Sequence, residues 1–140
     1  MKTVFADTVY WIAVANPKDS WGEVAKTARE QLGSTRLATT DEVLTEFLAA
    51  LSKGGPKLRH AAVKMVREIL SSANIKVVPQ SRDSFQRGLS RYEKRNDKQY
   101  SLQDCISMNV MESESITEVL TNDHHFEQEG FTVLMKRDGS

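Results

Sequence analysis

The chain has 140 residues, 39% of them hydrophobic and 27% charged, with one cysteine and a formal net charge of zero. That length and balance predict a single globular domain over 1–140, and one cysteine excludes an intrachain disulfide. No apolar run approaches the ~18 to 20 residues of a membrane span, and Cys105 alone suits a reducing compartment, so a soluble cytoplasmic protein without membrane contact is expected. The neutral total hides a segregation. Residues 53–98 carry twelve Lys or Arg against four acids, leaving seven against fifteen elsewhere. An acidic part facing a basic part suits an enzyme that acts on a polyanion through metal ions, and equally suits solvated helix faces that happen to segregate.

Thr3-Val4-Phe5-Ala6 is an apolar strand that runs into Asp7 and resumes as a helix over 8–14. Lys2, this run and Ala13-Val14-Ala15 imitate a secretory leader, but Asp7 charges the apolar core that a leader requires. Asn16-Pro17 breaks the helix. Ser20 is expected to cap a second one carrying Val24, Ala28 and Leu32, which Gly33 closes. Arg36–Thr40 reads as a second strand, followed by a helix over Asp41–Leu51 with Val43, Phe47 and Leu51 on one stripe. On it Glu42 and Glu46 are like charges at i, i+4, destabilising unless a cation lies near. After the loop Lys53-Gly54-Gly55-Pro56, residues Leu58, Ala62, Met65 and Ile69 form the apolar face of another helix.

Ile75–Val78 is the third strand, stopped by Pro79. Ser81 caps the next helix, where Phe85, Leu89 and Tyr92 share one face and Arg87, Arg91 and Lys94 share another. The basic stripe fits a nucleic-acid backbone, or equally a solvated helix face with the apolar stripe turned inward. Ser101-Leu102-Gln103-Asp104 matches a capping box opening a helix in which Cys105 is a small buried hydrophobe. A fourth strand over 116–121 ends in Asn122-Asp123, and a fifth covers 131–134. Strands alternating with helices at this pitch predict a doubly wound α/β fold, a three-layer α/β/α sandwich on a mainly parallel five-stranded sheet.

In such a sheet the carboxyl ends of the strands line the ligand crevice, so Asp7 and Asp123 should flank the switch point. Asp7 also suits a plain helix N-cap, and Asp104 a first-turn acid held by the helix dipole. Glu46 and Asp104, each near a helix start, can reach the same mouth. Four carboxylates that close need a cation, and an all-oxygen set points to Mg²⁺ or Mn²⁺. Such a centre activates a water and offsets charge on a leaving oxygen, with Thr8, Thr121 and Asn122 orienting ligands from behind. Adjacent His124 and His125 point apart and lack a Cys or Glu-x-x-His companion, so zinc is not expected. No Walker loop or Gly-x-Gly-x-x-Gly is present, and Val9 stands where a haloacid-dehalogenase phosphatase needs a second Asp.

Phe5-Ala6-Asp7-Thr8, Thr45-Glu46-Phe47, Tyr100-Ser101-Leu102-Gln103-Asp104-Cys105 and Leu120-Thr121-Asn122-Asp123-His124-His125-Phe126, with Gly130-Phe131 after them, together resemble a PIN-domain ribonuclease of the VapC toxin type. The resemblance runs over essentially the whole chain. It implies a PIN-like α/β/α sandwich, a Mg²⁺ or Mn²⁺ site built by Asp7, Glu46, Asp104 and Asp123, and endonucleolytic cleavage of RNA. It also implies a homodimer and a cognate antitoxin whose tail lies near the site. The alternative from another class is a non-catalytic PIN-like module that binds RNA or protein and uses its acids structurally.

Overall fold

The computed structural model describes residues 1–137, in the order β1 (Thr3–Ala6), α1 (Thr8–Ala15), α2 (Gly22–Leu32), β2 (Arg36–Thr40), α3 (Asp41–Leu51), α4 (Pro56–Ser71), β3 (Ile75–Val78), α5 (Arg82–Lys94), α6 (Leu102–Ser113), β4 (Glu118–Leu120), α7 (His125–Gln128) and β5 (Thr132–Val133). All strand pairs are parallel, and the sheet order is β3-β2-β1-β4-β5. The chain winds outward from β1 to β3, then returns past β1 to β4 and β5. Its switch point therefore falls between β1 and β4. Val4, Phe5 and Ala6 in β1, Leu37 to Thr40 in β2, and Val119 and Leu120 in β4 are buried without alternation. Consecutive burial of this kind means that helices cover both faces of the sheet, as the α/β/α expectation requires. Among the described residues no helix is long and apolar enough to cross a membrane.

Side chains start the helices that carry the acids. The Thr40 hydroxyl accepts the Val43 N–H at 3.0 Å to begin α3. Ser81 with Ser84, and Ser101 with Asp104, form reciprocal capping boxes at α5 and α6. At α2 the expected Ser20 cap is not made: Trp21 takes the N-cap position without a side-chain bond, and Asp19 Oδ1 accepts the Trp21 N–H at 2.8 Å instead. Gly33 ends α2 at φ 62°, a conformation in which a side chain is strained.

Two expectations are corrected by packing. β4 and β5 are shorter than 116–121 and 131–134, because Thr121 leaves the ladder, its N–H turning back to the Val119 carbonyl. The larger difference is the face that α5 buries. Phe85, Leu89 and Tyr92 are 40, 44 and 53% exposed, and the inward stripe is Ser84, Gly88, Arg91 and Arg95. Gly88 permits this: a Cβ there would stand 2.6 Å from Ile106 Cγ1, so only a glycine lets α5 lie so close on α6. The two arginines then reach one buried acid. Arg91 Nη2 and Arg95 Nε donate to Glu129 Oε1 at 2.7 and 3.0 Å, and Tyr100 Oη donates to Oε2 at 2.9 Å. Burial raises the Glu129 carboxyl, but these three donors outweigh it and hold the group below its ordinary range.

Candidate active site and metal centre

Asp7 follows the last residue of β1, and its N–H donates to the Leu120 carbonyl, so β4 delivers its own end beside it. It occupies the N-cap position of α1, yet its carboxylate does not cap the helix. Instead Asp7 Oδ2 accepts the Thr121 hydroxyl at 2.9 Å, across the switch point. The carboxylate is 5% exposed, and burial pushes it up to about 7, with repulsion from Asp104 and Glu46 adding to the rise against hydrogen bonds from Thr8 and Thr121. An acid placed so is a poor choice for a cap and a good one for receiving a cation.

Thr121 is a hub. Its hydroxyl, fully buried, also accepts the Asp123 N–H at 3.2 Å, so one side chain ties Asp7 to the turn that bears Asp123. Asp104 enters from the first turn of α6. Its Oδ2 accepts the Ser101 N–H at 3.1 Å, so the capping-box role and the site role coexist in one carboxylate. Burial raises the Asp104 carboxyl, and Asp123 adds to the rise while His125 and the Ser101 bonds oppose it.

Among the described residues, the set of three donors close enough to share one ion is Asp104, Asp123 and His125, whose ligand atoms lie within 4.8 Å of one another. His125 Nδ1 stands 3.2 Å from Asp123 Oδ1 and 3.6 Å from Asp104 Oδ2. Asp7 and Glu46 are outside this tight set and are joined to it by charge, Glu46 from the exposed side of α3. Glu42 goes elsewhere, its Oε2 accepting the Ser84 hydroxyl at 3.1 Å, which removes it from conflict with Glu46.

The donor set fits a divalent cation. Two buried polar atoms at the site, Thr8 Oγ1 and His125 Nδ1, have no hydrogen-bond partner, and the neighbouring Asp7 carboxyl, next to Thr8 in the chain, is pushed up to about 7. Unpaired buried groups of this kind are costly to keep unless a ligand satisfies them. Asn122 is half-buried between Thr121 and Asp123 in the chain. His125, which the sequence reading set aside together with His124, keeps its Nδ1 buried while His124 is exposed, the two ring centroids 5.8 Å apart. Its signal was position, two residues after Asp123, where the one-turn α7 redirects the chain.

The basic stripe divides. Arg87, Arg91 and Lys94 line a groove of about 600 Å³ between α5 and α6, together with Arg95 and Asn109. Arg91 is engaged there by Glu112 and Glu129, Arg87 pairs with Asp83 at 2.8 Å, and Lys94 is exposed. Asn109 stands about 7.5 Å along α6 from Asp104, at 1.5 Å per residue.

A protein family described as the PIN domain matches residues 4–131. No curated sequence matches closely enough to count as a relative. The fold is similar to that of VapC20 from Mycobacterium tuberculosis, a Sarcin-Ricin loop cleaving toxin, at a TM-score of 0.81 and 24% identity over 92% of this chain and 96% of that one. It is also similar to VapBC2 from Rickettsia felis bound to a DNA fragment from their promoter, at a TM-score of 0.65 and 15% identity over 94% and 96%. FitAcB from Neisseria gonorrhoeae has a TM-score of 0.62 and 15% identity over the same shares.

Proposed function

Because this chain belongs to the PIN-domain family, we propose that it is a metal-dependent endoribonuclease, the toxin of a toxin–antitoxin pair in the cytoplasm. The observation that carries the reading is Asp7, a buried carboxylate that does not cap its helix and stands with Asp104, Asp123 and Glu46 at the switch point. Asp7, Glu46, Asp104 and Asp123 would hold Mg²⁺ or Mn²⁺. When bound, the cation polarises a water and offsets charge developing on the leaving oxygen of an RNA phosphodiester.

The remaining work falls to the chain itself. Thr121 fixes the Asp7 carboxylate through Oδ2. The Ser101 N–H orients the Asp104 carboxylate through Oδ2, the oxygen that faces His125. Thr8, with its buried hydroxyl unpartnered, orients water beside Asp7, and Asn122 lines the approach. Arg87, Arg91 and Lys94 guide the RNA backbone, Lys94 by direct charge and Arg91 by shaping the groove wall. The exposed stripe Phe85, Leu89 and Tyr92 supports a protein partner, a second copy or the antitoxin. The likeness to VapC20 and VapBC2 supports a toxin with an RNA target and an antitoxin partner.

Total RNA incubated with purified protein and Mg²⁺ or Mn²⁺ should be cleaved, and EDTA should stop it. Asp104→Asn should abolish cleavage while leaving the circular dichroism spectrum unchanged. Cleavage that persists in EDTA, or in a folded Asp104→Asn variant, overturns the reading. Charge reversal at Lys94 should weaken RNA binding and lower its salt slope by about one, as loss of one phosphate contact requires.

A further inference from the structure

We infer that His125 is a nitrogen ligand of the metal centre, so that the site prefers Mn²⁺ to Mg²⁺ more strongly than carboxylates alone would make it. The inference rests on the metal-dependent reading above and specifies its ligand set. Its ground is the placement of one atom. His125 Nδ1 is buried, has no hydrogen-bond partner, and lies 3.2 Å from Asp123 Oδ1 and 3.6 Å from Asp104 Oδ2. Two neighbouring donors on an octahedral ion at about 2.1 Å lie about 3.0 Å apart, so these separations are close to those of adjacent corners on one ion.

A simple ion pair accounts less well for the same placement. Asp123 Oδ1 already accepts the His125 backbone N–H at 2.9 Å, and that bond draws the turn shut so that the side chain doubles back over the carboxylate. The ring nitrogen forms no hydrogen bond to either acid, although oxygens of both are near.

The orientation is built from outside. Tyr100 packs edge-on against the His125 ring, centroids 5.4 Å apart at 61°, and the Tyr100 hydroxyl is held by Glu129 at 2.9 Å. Glu129 is held in turn by Arg91 and Arg95. The imidazole thus sits against a side-chain chain that reaches back to α5, and that packing restricts the ring's rotation. His124, exposed and one residue away, has no comparable support and serves as the internal control.

A nitrogen donor changes selectivity. Mg²⁺ favours oxygen and retains its waters, whereas imidazole suits transition metals and affinity rises along their series from Mn²⁺ onward. Two acids and one imidazole therefore form a less Mg²⁺-like corner than four acids would.

The test uses the full chain, loaded with Mn²⁺ and studied by pulsed electron paramagnetic resonance, with calorimetric titration of Mn²⁺ and Mg²⁺ alongside. The wild type should show ¹⁴N hyperfine coupling from a directly bound imidazole. His125→Asn should lose it and His124→Asn should keep it. The His125→Asn change should weaken Mn²⁺ binding by about tenfold or more and Mg²⁺ binding much less. Stoichiometric Mn²⁺ binding without ¹⁴N coupling in the wild type overturns this inference and leaves the nuclease reading standing. Failure to bind either ion overturns both. The wild-type spectrum decides even where the variant does not fold.

Discussion

Replacing Asp7 with Asn should change the stability of the metal-free protein in opposite directions at low and high pH. Burial pushes the Asp7 carboxyl from 3.8 to about 7. Between those values the folded protein keeps a proton that the unfolded chain has released, so stability falls as pH rises from about 4 to 7 and stays low above that. Roughly three units at about 1.4 kcal/mol each amount to ~4 kcal/mol at pH 8. Asn still offers an oxygen to the Thr121 hydroxyl, but its amide nitrogen in a buried site takes back about 1–2 kcal/mol. The variant should therefore be more stable than the wild type by ~2–3 kcal/mol at pH 8 and less stable by ~1 kcal/mol at pH 4. At roughly 3–5 °C per kcal/mol, the midpoint should rise by about 10 °C at pH 8. Scanning calorimetry in EDTA at pH 4, 6 and 8 measures this directly. Mn²⁺ at pH 8 should then raise the wild-type midpoint more than that of the variant. A variant that is destabilised equally at pH 4 and pH 8 would refute the buried-charge account of Asp7.

Glu129→Ala should lower stability by ~3 kcal/mol in urea unfolding, because it removes the one acceptor shared by Arg91, Arg95 and Tyr100 and leaves the Arg91 side chain, 13% exposed, with only Glu112 and Asn109. Gly88→Ala should destabilise by ~1–2 kcal/mol despite the better helix propensity of alanine, since the new Cβ meets Ile106 Cγ1 at 2.6 Å and Leu102 Cδ1 at 3.1 Å. Ile106→Ala, which removes Cγ1, should make the Gly88→Ala change cost less than it does in the wild-type background, and additive effects of the two changes would argue against the contact.

Local chemistry and period account for most of the architecture that the sequence discloses. Asp7 after an apolar strand, the Ser101 to Asp104 box and the stripe Val43, Phe47, Leu51 are all short-range patterns, and each stands where its pattern placed it. The parallel pairing of the strands follows from the alternation. What periodicity does not disclose is which side of an amphipathic helix turns inward. On α5 that choice was made by Gly88 and by Glu129, which lies 38 residues beyond Arg91 in the chain. His125, set aside with His124 as a ligand in the sequence, illustrates a related limit: its relation to Asp104 depends on a single turn of helix and on Tyr100, neither of which has a repeat to betray it. Four acids in sequence suggested one equal cluster. The structure instead grades them, two within reach of a shared ion beside a histidine and two coupled to them by charge.

The corner that bears Asp123 and His125 hangs on very little ladder, three residues in β4 and two in β5. Its amides should exchange with solvent at a free energy well short of global unfolding, while those of β1 and β2 hold to the end. Whatever binds between Asp104 and this corner must then first find it closed, and its measured affinity is discounted by the fraction of time it is open. Two strands a residue or two longer would tighten binding without adding a single ligand.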